Sequence, residues 1–267
     1  MPVSPSSLTS PAIVTRLRAA GCVFAEDEAE LILSTARTPS DIAAMVDRRI
    51  AGLPLEHVLG WAEFCGLRVA VDPQVFVPRR RTEFLVRQAV ALARPGAVVV
   101  DLCCGSGAVG VALAAALGHV ELYAADVDPA AVRCARRNVG AVGGRVYEGD
   151  LFAALPAALR GRIDVLAANV PYVPTEEVGL LPSEAREHEP LVALDGGADG
   201  LDVLRRVAAD APRWLAPGGS LLVETSERQA PLALGAFGGS GLIPAMAVCE
   251  ELYATVVIGT SPAGPSA

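Results

Sequence analysis

Asn169-Val170-Pro171-Tyr172 sets a carboxamide, a peptide carbonyl, a proline and an aromatic ring side by side. The tetrad closes an apolar run, Ile163-Asp164-Val165-Leu166-Ala167-Ala168, that reads as a buried strand. Such a group can grip a planar amide or amino nitrogen from two sides and stack a ring on its face. Pro171 biases Val170 toward an extended backbone, so the Val170 carbonyl survives as an acceptor. Asn169 cannot act as a general base. The chemistry it suits is positioning of a weak nitrogen nucleophile.

A place for a cofactor lies about 65 residues earlier. Asp101-Leu102-Cys103-Cys104-Gly105-Ser106-Gly107-Ala108-Val109-Gly110 bends a predicted strand into a helix, and glycine lets a ligand approach the backbone closely. Gly105-x-Gly107-x-x-Gly110, with Asp126 about 20 residues on, also satisfies a dinucleotide fingerprint. The turn alone therefore leaves a nicotinamide cofactor and S-adenosylmethionine both open. Asp101 tips the balance: a carboxylate there would repel a pyrophosphate and suits a cationic amino group. Asp126, ending the next strand, can accept two ribose hydroxyls, and Asp150, with Leu151 beside it, can hold and cover an adenine. Three acids at three successive strand ends form one crevice. Cofactor turn and tetrad together suggest methyl transfer onto nitrogen. No metal is expected, because the six cysteines show neither paired spacing nor a Cys-x-x-Cys.

These groups need elements to hold them. Apolar residues recur at helical spacing from 11 to about 53 (Ile13, Leu17; Ala29, Ile32; Ile42, Val46, Ile50), and Pro54 is expected to end that region. Phe64 to Val77 alternates like a hairpin with Asp72-Pro73 as its turn. A helix over about 82–93 leads into alternating strands and helices: strands at 97–102, 120–125, one ending near Asp150, one ending at Asn169, and one at 220–225 after the Pro217-Gly218-Gly219 turn. Asp128-Pro129 is an N-cap with proline at the first helical position. Two closing strands, near 242–249 and 253–258, are joined tightly enough to make one of them antiparallel. The fold class predicted is α/β: a mostly parallel, doubly wound seven-stranded sheet with one antiparallel strand.

Composition narrows the classes. The 267 residues are 52% hydrophobic, yet the uncharged stretch 231–249 is broken by glycines and Pro244, so no membrane span is expected. No secretory signal opens the chain, and reduced thiols in the cytoplasm are expected. A net charge of −8 argues against general nucleic-acid binding, although Arg79-Arg80-Arg81 is a small basic patch. All 22 basic residues are arginine.

The tetrad resembles the Asn-Pro-Pro-Tyr motif of amino- and amide-directed N-methyltransferases. From about Pro54 to Gly259 the chain is similar to protein-(glutamine) methyltransferases of the HemK/PrmC type, which modify peptide-chain release factors. The resemblance is carried by Pro54-Leu55-Glu56-His57-Val58-Leu59-Gly60, Pro78-Arg79-Arg80-Arg81-Thr82-Glu83, the Asp101 turn and Gly149-Asp150-Leu151-Phe152. His188-Glu189-Pro190-Leu191-Val192-Ala193-Leu194-Asp195-Gly196-Gly197 with Asp199-Gly200-Leu201-Asp202 is its most specific part. It implies a Rossmann-like class I methyltransferase using S-adenosylmethionine. Asp101, Cys103, Cys104, Gly105, Ser106, Gly107, Asp126, Asp150, Leu151 and Asn169 would face the cofactor. Asn169, Val170, Pro171 and Tyr172 would hold a substrate glutamine, with Asn169 and Val170 accepting its two N–H groups and Tyr172 stacking on the amide. Arg79 would approach the cofactor carboxylate or the acceptor protein; His57, His119, Trp61 and Trp214 are expected to be structural, and His188 to hold its loop. Two departures matter: Val170 replaces a proline, and Arg80-Arg81 replaces the Pro-Glu often found in the family. They point to a diverged subgroup.

The organisation expected is a helical substrate-docking domain (1–60), a hairpin linker (61–80), a methyltransferase domain (81–260) and a disordered tail (261–267). The activity expected is methylation of a glutamine amide in a protein, most simply the Gly-Gly-Gln tip of a release factor, by a monomer. An adenine-directed nucleic-acid methyltransferase, a cofactor-binding protein with little turnover and, last, a nicotinamide dehydrogenase are the alternatives.

Overall fold

The computed structural model describes residues 9–263. The ends of the chain, including most of the expected tail, lie outside the described residues. Helices α1 (Ser10–Ala19), α2 (Ala25–Thr35), α3 (Pro39–Ile50) and α4 (Leu55–Leu59) come first. Ile13, Leu17, Ala29, Ile32 and Val46 close a small core of their own, as the helical spacing predicts. Thr38 and Asp41 form a reciprocal capping box at the start of α3. Pro54 does not end the helical region; it precedes α4, where a missing N–H costs nothing.

The hairpin is real, but its turn is not Asp72-Pro73. Strands β1 (Trp61–Phe64) and β2 (Leu67–Ala70) are joined by Cys65-Gly66, with φ of 51° and 72°. Two left-handed residues match the twist of a two-residue hairpin connection. Asp72 instead starts a separate turn that accepts the Val75 N–H.

Helix α5 (Glu83–Leu92) leads to β3 (Val98–Leu102), α6 (Ala108–Leu117), β4 (Glu121–Asp126), α7 (Pro129–Ala141), β5 (Arg145–Glu148) and β6 (Ile163–Ala168). Then follow the short α8 (Ser183–His188), α9 (Asp202–Asp210), β7 (Leu215–Thr225), α10 (Ala230–Gly239), β8 (Ile243–Cys249) and β9 (Ala254–Thr260). The seven-stranded sheet runs β5-β4-β3-β6-β7-β9-β8, and β9 alone is reversed. Pro217-Gly218-Gly219 lies inside β7 as an irregularity of the ladder rather than before the strand. Helices α5, α6 and α7 cover one sheet face; α9 and α10 cover the other. Burying both faces requires largely apolar strands, which is why β3 and β6 read as apolar runs interrupted only by Asp101 and Asp164 and not as alternations.

Candidate active site

The sheet's strand order reverses between β3 and β6, and a cavity of about 800 Å³ opens beyond their carboxyl ends. That is where an open α/β sheet holds ligands. Asp101, Cys103, Cys104, Gly105, Ser106, Asp126, Asp150, Leu151 and the whole tetrad Asn169–Tyr172 line it. Gly107 does not. It caps α6 with φ +79°, and a Cβ there would stand 2.6 Å from Val139 of α7. Its glycine serves helix packing, the third role such fingerprints carry.

Asp101 is 1% exposed, and its Oδ2 accepts the Gly110 N–H at 2.8 Å. Burial pushes its carboxyl up to about 8, the nearby Asp126 adds to this, and the Gly110 bond opposes it. Asp126 accepts the N–H of Gly105 at 2.8 Å on one oxygen and that of Asp128 at 2.9 Å on the other. Each oxygen keeps a second lone pair for a ligand hydroxyl. Burial raises this carboxyl too. Asp150 is instead half-exposed and paired with Arg206 at 2.5 Å, an arginine of α9 that also lines the cavity. Cys103 takes a left-handed φ of 56°, and burial among carboxylates raises both adjacent thiols, which stay protonated.

The tetrad follows β6. Val170 is buried in the core cluster that also holds residues of α9, while the Asn169 Oδ1 is buried and has no hydrogen-bond partner among the described residues. Among the described residues no hydrogen bond ends on the Val170 carbonyl. An unmatched buried acceptor costs on the order of 1–3 kcal/mol, so the arrangement is suited to receiving a donor. The Tyr172 hydroxyl donates to Glu224 Oε1 at 2.9 Å and accepts from Arg81 Nη2. Arg81 Nε donates to the same Glu224 oxygen at 3.0 Å. Burial, then the Glu224 carboxylate, raises the Tyr172 phenol.

Several contributors went unseen in the sequence. Gln229 Nε2 donates to the carbonyls of Tyr172 and Asp199, each at 2.9 Å, and so ties the tetrad to the Asp195–Asp202 loop. Asn138 of α7 bonds both backbone groups of Ala70 and the Ser106 carbonyl, pinning the hairpin to the cofactor turn. Arg79 is held by the buried Glu189 at 2.6 Å, and Glu189 also accepts the Val77 N–H. Glu224 alone carried a usable signal, a further acid at a strand end. His57 is structural as expected: buried, with Nε2 2.8 Å from the Val75 carbonyl. Trp214 stacks on Phe152.

Residues 68–180 match the family described as methyltransferase small domain. A release factor glutamine methyltransferase of Geobacter sulfurreducens is 42% identical over 76% of this chain and 72% of its own length. A 4-amino-L-phenylalanine/4-methylamino-L-phenylalanine methyltransferase of Streptomyces pristinaespiralis is 37% identical over 85% of this chain and 80% of its own. The crystal structure of a methyltransferase from Pyrococcus furiosus superposes with a TM-score of 0.56 at 16% identity, covering 74% of this chain and 90% of that one; it shares the fold.

Proposed function

The chain belongs to the release factor glutamine methyltransferase family, and on that premise we propose that its tetrad clamps the side-chain amide of a glutamine for methylation. The enzyme is S-adenosylmethionine-dependent, and its acceptor is a peptide-chain release factor. The cavity suits the cofactor. Asp101 is a buried carboxyl group with no arginine or histidine paired to it among the described residues, and a ligand-borne ammonium would stabilise its ionised form. Asp101 would hold the amino group, Asp126 the ribose, and Leu151 with the Cys103–Ser106 turn would flank the remainder. The bound cofactor supplies an electrophilic methyl on a sulfonium.

The single observation that carries the acceptor side is the Asn169 Oδ1, buried, unpartnered and on the cavity wall. That oxygen and the Val170 carbonyl accept the two N–H groups of the glutamine. Holding both localises electron density on the nitrogen and aims it, without a strong base. The Tyr172 phenol stays neutral because its surroundings oppose ionisation. Arg79 serves the fold of the cavity wall through Glu189. The helices before the hairpin help dock the acceptor protein, and the enzyme works as a cytoplasmic monomer.

One observation favours a second reading. The relative named for 4-amino-L-phenylalanine matches more of both chains than the Geobacter relative does. A free aromatic amine also presents a planar NH₂ to the same clamp. The experiment is incubation with methyl-labelled cofactor and, separately, release factors and 4-amino-L-phenylalanine, with the methylated atom mapped by mass spectrometry. Label on the glutamine of a Gly-Gly-Gln sequence supports the first reading, and label on the amino acid alone replaces it.

A further inference from the structure

Asp101, Ala167 and Leu222 are register partners on β3, β6 and β7, and Ala168 pairs with Val223. Asn169 directly follows the end of β6, and Glu224 is the next residue on β7. Side chains alternate along a strand, so both return to the face that carries Asp101. Glu224 is 2% exposed. Its Oε1 receives Arg81 Nε and the Tyr172 hydroxyl, while Arg81 Nη2 donates to that hydroxyl. The three side chains thus close a ring of hydrogen bonds. Both the donor and an acceptor site of the phenol are used within it. The guanidinium carbon also stands 5.6 Å from the centre of the Tyr172 ring. What Tyr172 has left to offer the cavity is its ring. The other Glu224 oxygen, Oε2, is buried without a partner among the described residues. A buried carboxylate kept half-satisfied is costly unless something holds it there, and among the described residues the cation paired with it is Arg81.

We propose that Glu224 is a positioning residue for methyl transfer: through Arg81 it locks Tyr172 so that the ring face, and not the hydroxyl, meets the acceptor nitrogen held by Asn169. This deepens the amide-clamp reading and rests on it. Arg81 stands where the family often has an acid, so the lock is a feature of this chain's own sequence. A fixed ring confines the nitrogen to the plane that Asn169 and Val170 define; a swinging ring loses near-attack geometry without loosening the cofactor.

The test uses the full chain with S-adenosylmethionine and the acceptor protein, comparing wild type, Glu224→Gln, Glu224→Asp, Arg81→Met and Tyr172→Phe. Glu224→Gln is expected to lower kcat at least about tenfold with the acceptor KM and cofactor affinity changed less than about threefold. Arg81→Met is expected to do the same, and the Glu224→Gln/Arg81→Met pair to fall no further than either alone. Glu224→Asp is expected to restore part of the loss. An ultraviolet pH titration, differenced against Tyr172→Phe, needs no acceptor: Glu224→Gln should bring Tyr172 ionisation to lower pH, and Arg81→Met should raise it. Wild-type kcat in Glu224→Gln overturns the proposal. So does a loss matched by an equal loss of cofactor affinity or melting temperature, which marks a merely structural role. Should wild type methylate no release factor, the amide reading fails, while the titration still reports whether Glu224 governs Tyr172.

Discussion

Gly196 lies so close to Pro171 that a Cβ on it would stand 2.6 Å from the Pro171 carbonyl oxygen and 2.5 Å from that of Gly200. The glycine-rich loop and the tetrad therefore pack backbone against backbone. Gly200 completes the contact: its φ is +77°, and a Cβ there would overlap the Tyr172 carbonyl. Gly200→Ala is expected to abolish methyl transfer and to destabilise the chain by about 2 kcal/mol or more, read by urea unfolding. Gly179→Ala, at a position with open space around it, should stay within about 0.5 kcal/mol of wild type. Equal effects at the two sites would show that the loop does not brace the tetrad.

Asn169→Ala removes the unpartnered acceptor while leaving the cofactor turn intact. Transfer should be lost, with cofactor affinity by calorimetry kept within about tenfold, or roughly 1.4 kcal/mol. Turnover at the wild-type rate would end the amide-clamp reading.

Asp101 makes the cofactor-free protein sensitive to pH. Its carboxyl is raised from 3.8 to about 8. Between those values the folded chain keeps a proton that the unfolded chain releases, so the Asp101 contribution to stability falls as pH rises and is fully lost above about 8. Asp101→Asn cannot lose that proton. The variant's stability relative to wild type should therefore climb steadily from pH 4 to 8 in urea unfolding followed by tryptophan fluorescence. A flat difference across that range would place the proton elsewhere.

Arg49 joins the first helices to α8, which lines the cavity. It pairs with Glu28 at 2.7 Å and with Glu184 at 2.6 Å, and these partners are unequal: the Glu28 side chain is 10% exposed, the Glu184 side chain 45%. Arg49→Met strands a buried carboxylate and should cost about 3 kcal/mol or more. Glu184→Gln breaks only a solvated pair and should cost less than about 1 kcal/mol. Chemical denaturation of both variants checks the ranking, and the reverse order would contradict the burial argument.

What could be read from the sequence was what lies close along it. The Asp101 turn, the strand-end acids and the tetrad are short segments whose backbone requirements are written locally. The reversed strand β9 followed from a tight connection between two strands. The hairpin turn was misassigned because Asp72-Pro73 has stronger turn chemistry than Cys65-Gly66, where the strand twist decides. Glu189 reaches Arg79 across 110 residues, and Glu224 reaches Arg81 across 143. Nothing local marks such partners. Gly107 looked like a ligand contact because close approach of a helix and close approach of a ligand ask for the same missing side chain.

Asp101 and Ala167, two residues before Asn169, face each other across a parallel ladder. Asn169 thus stands one strand over from Asp101, a rung of about 4.8 Å, and two residues further along, so the sheet and not the reach of a loop sets their separation. Changes of length or charge in the outer loops would therefore leave the separation of Asp101 and Asn169 unaltered.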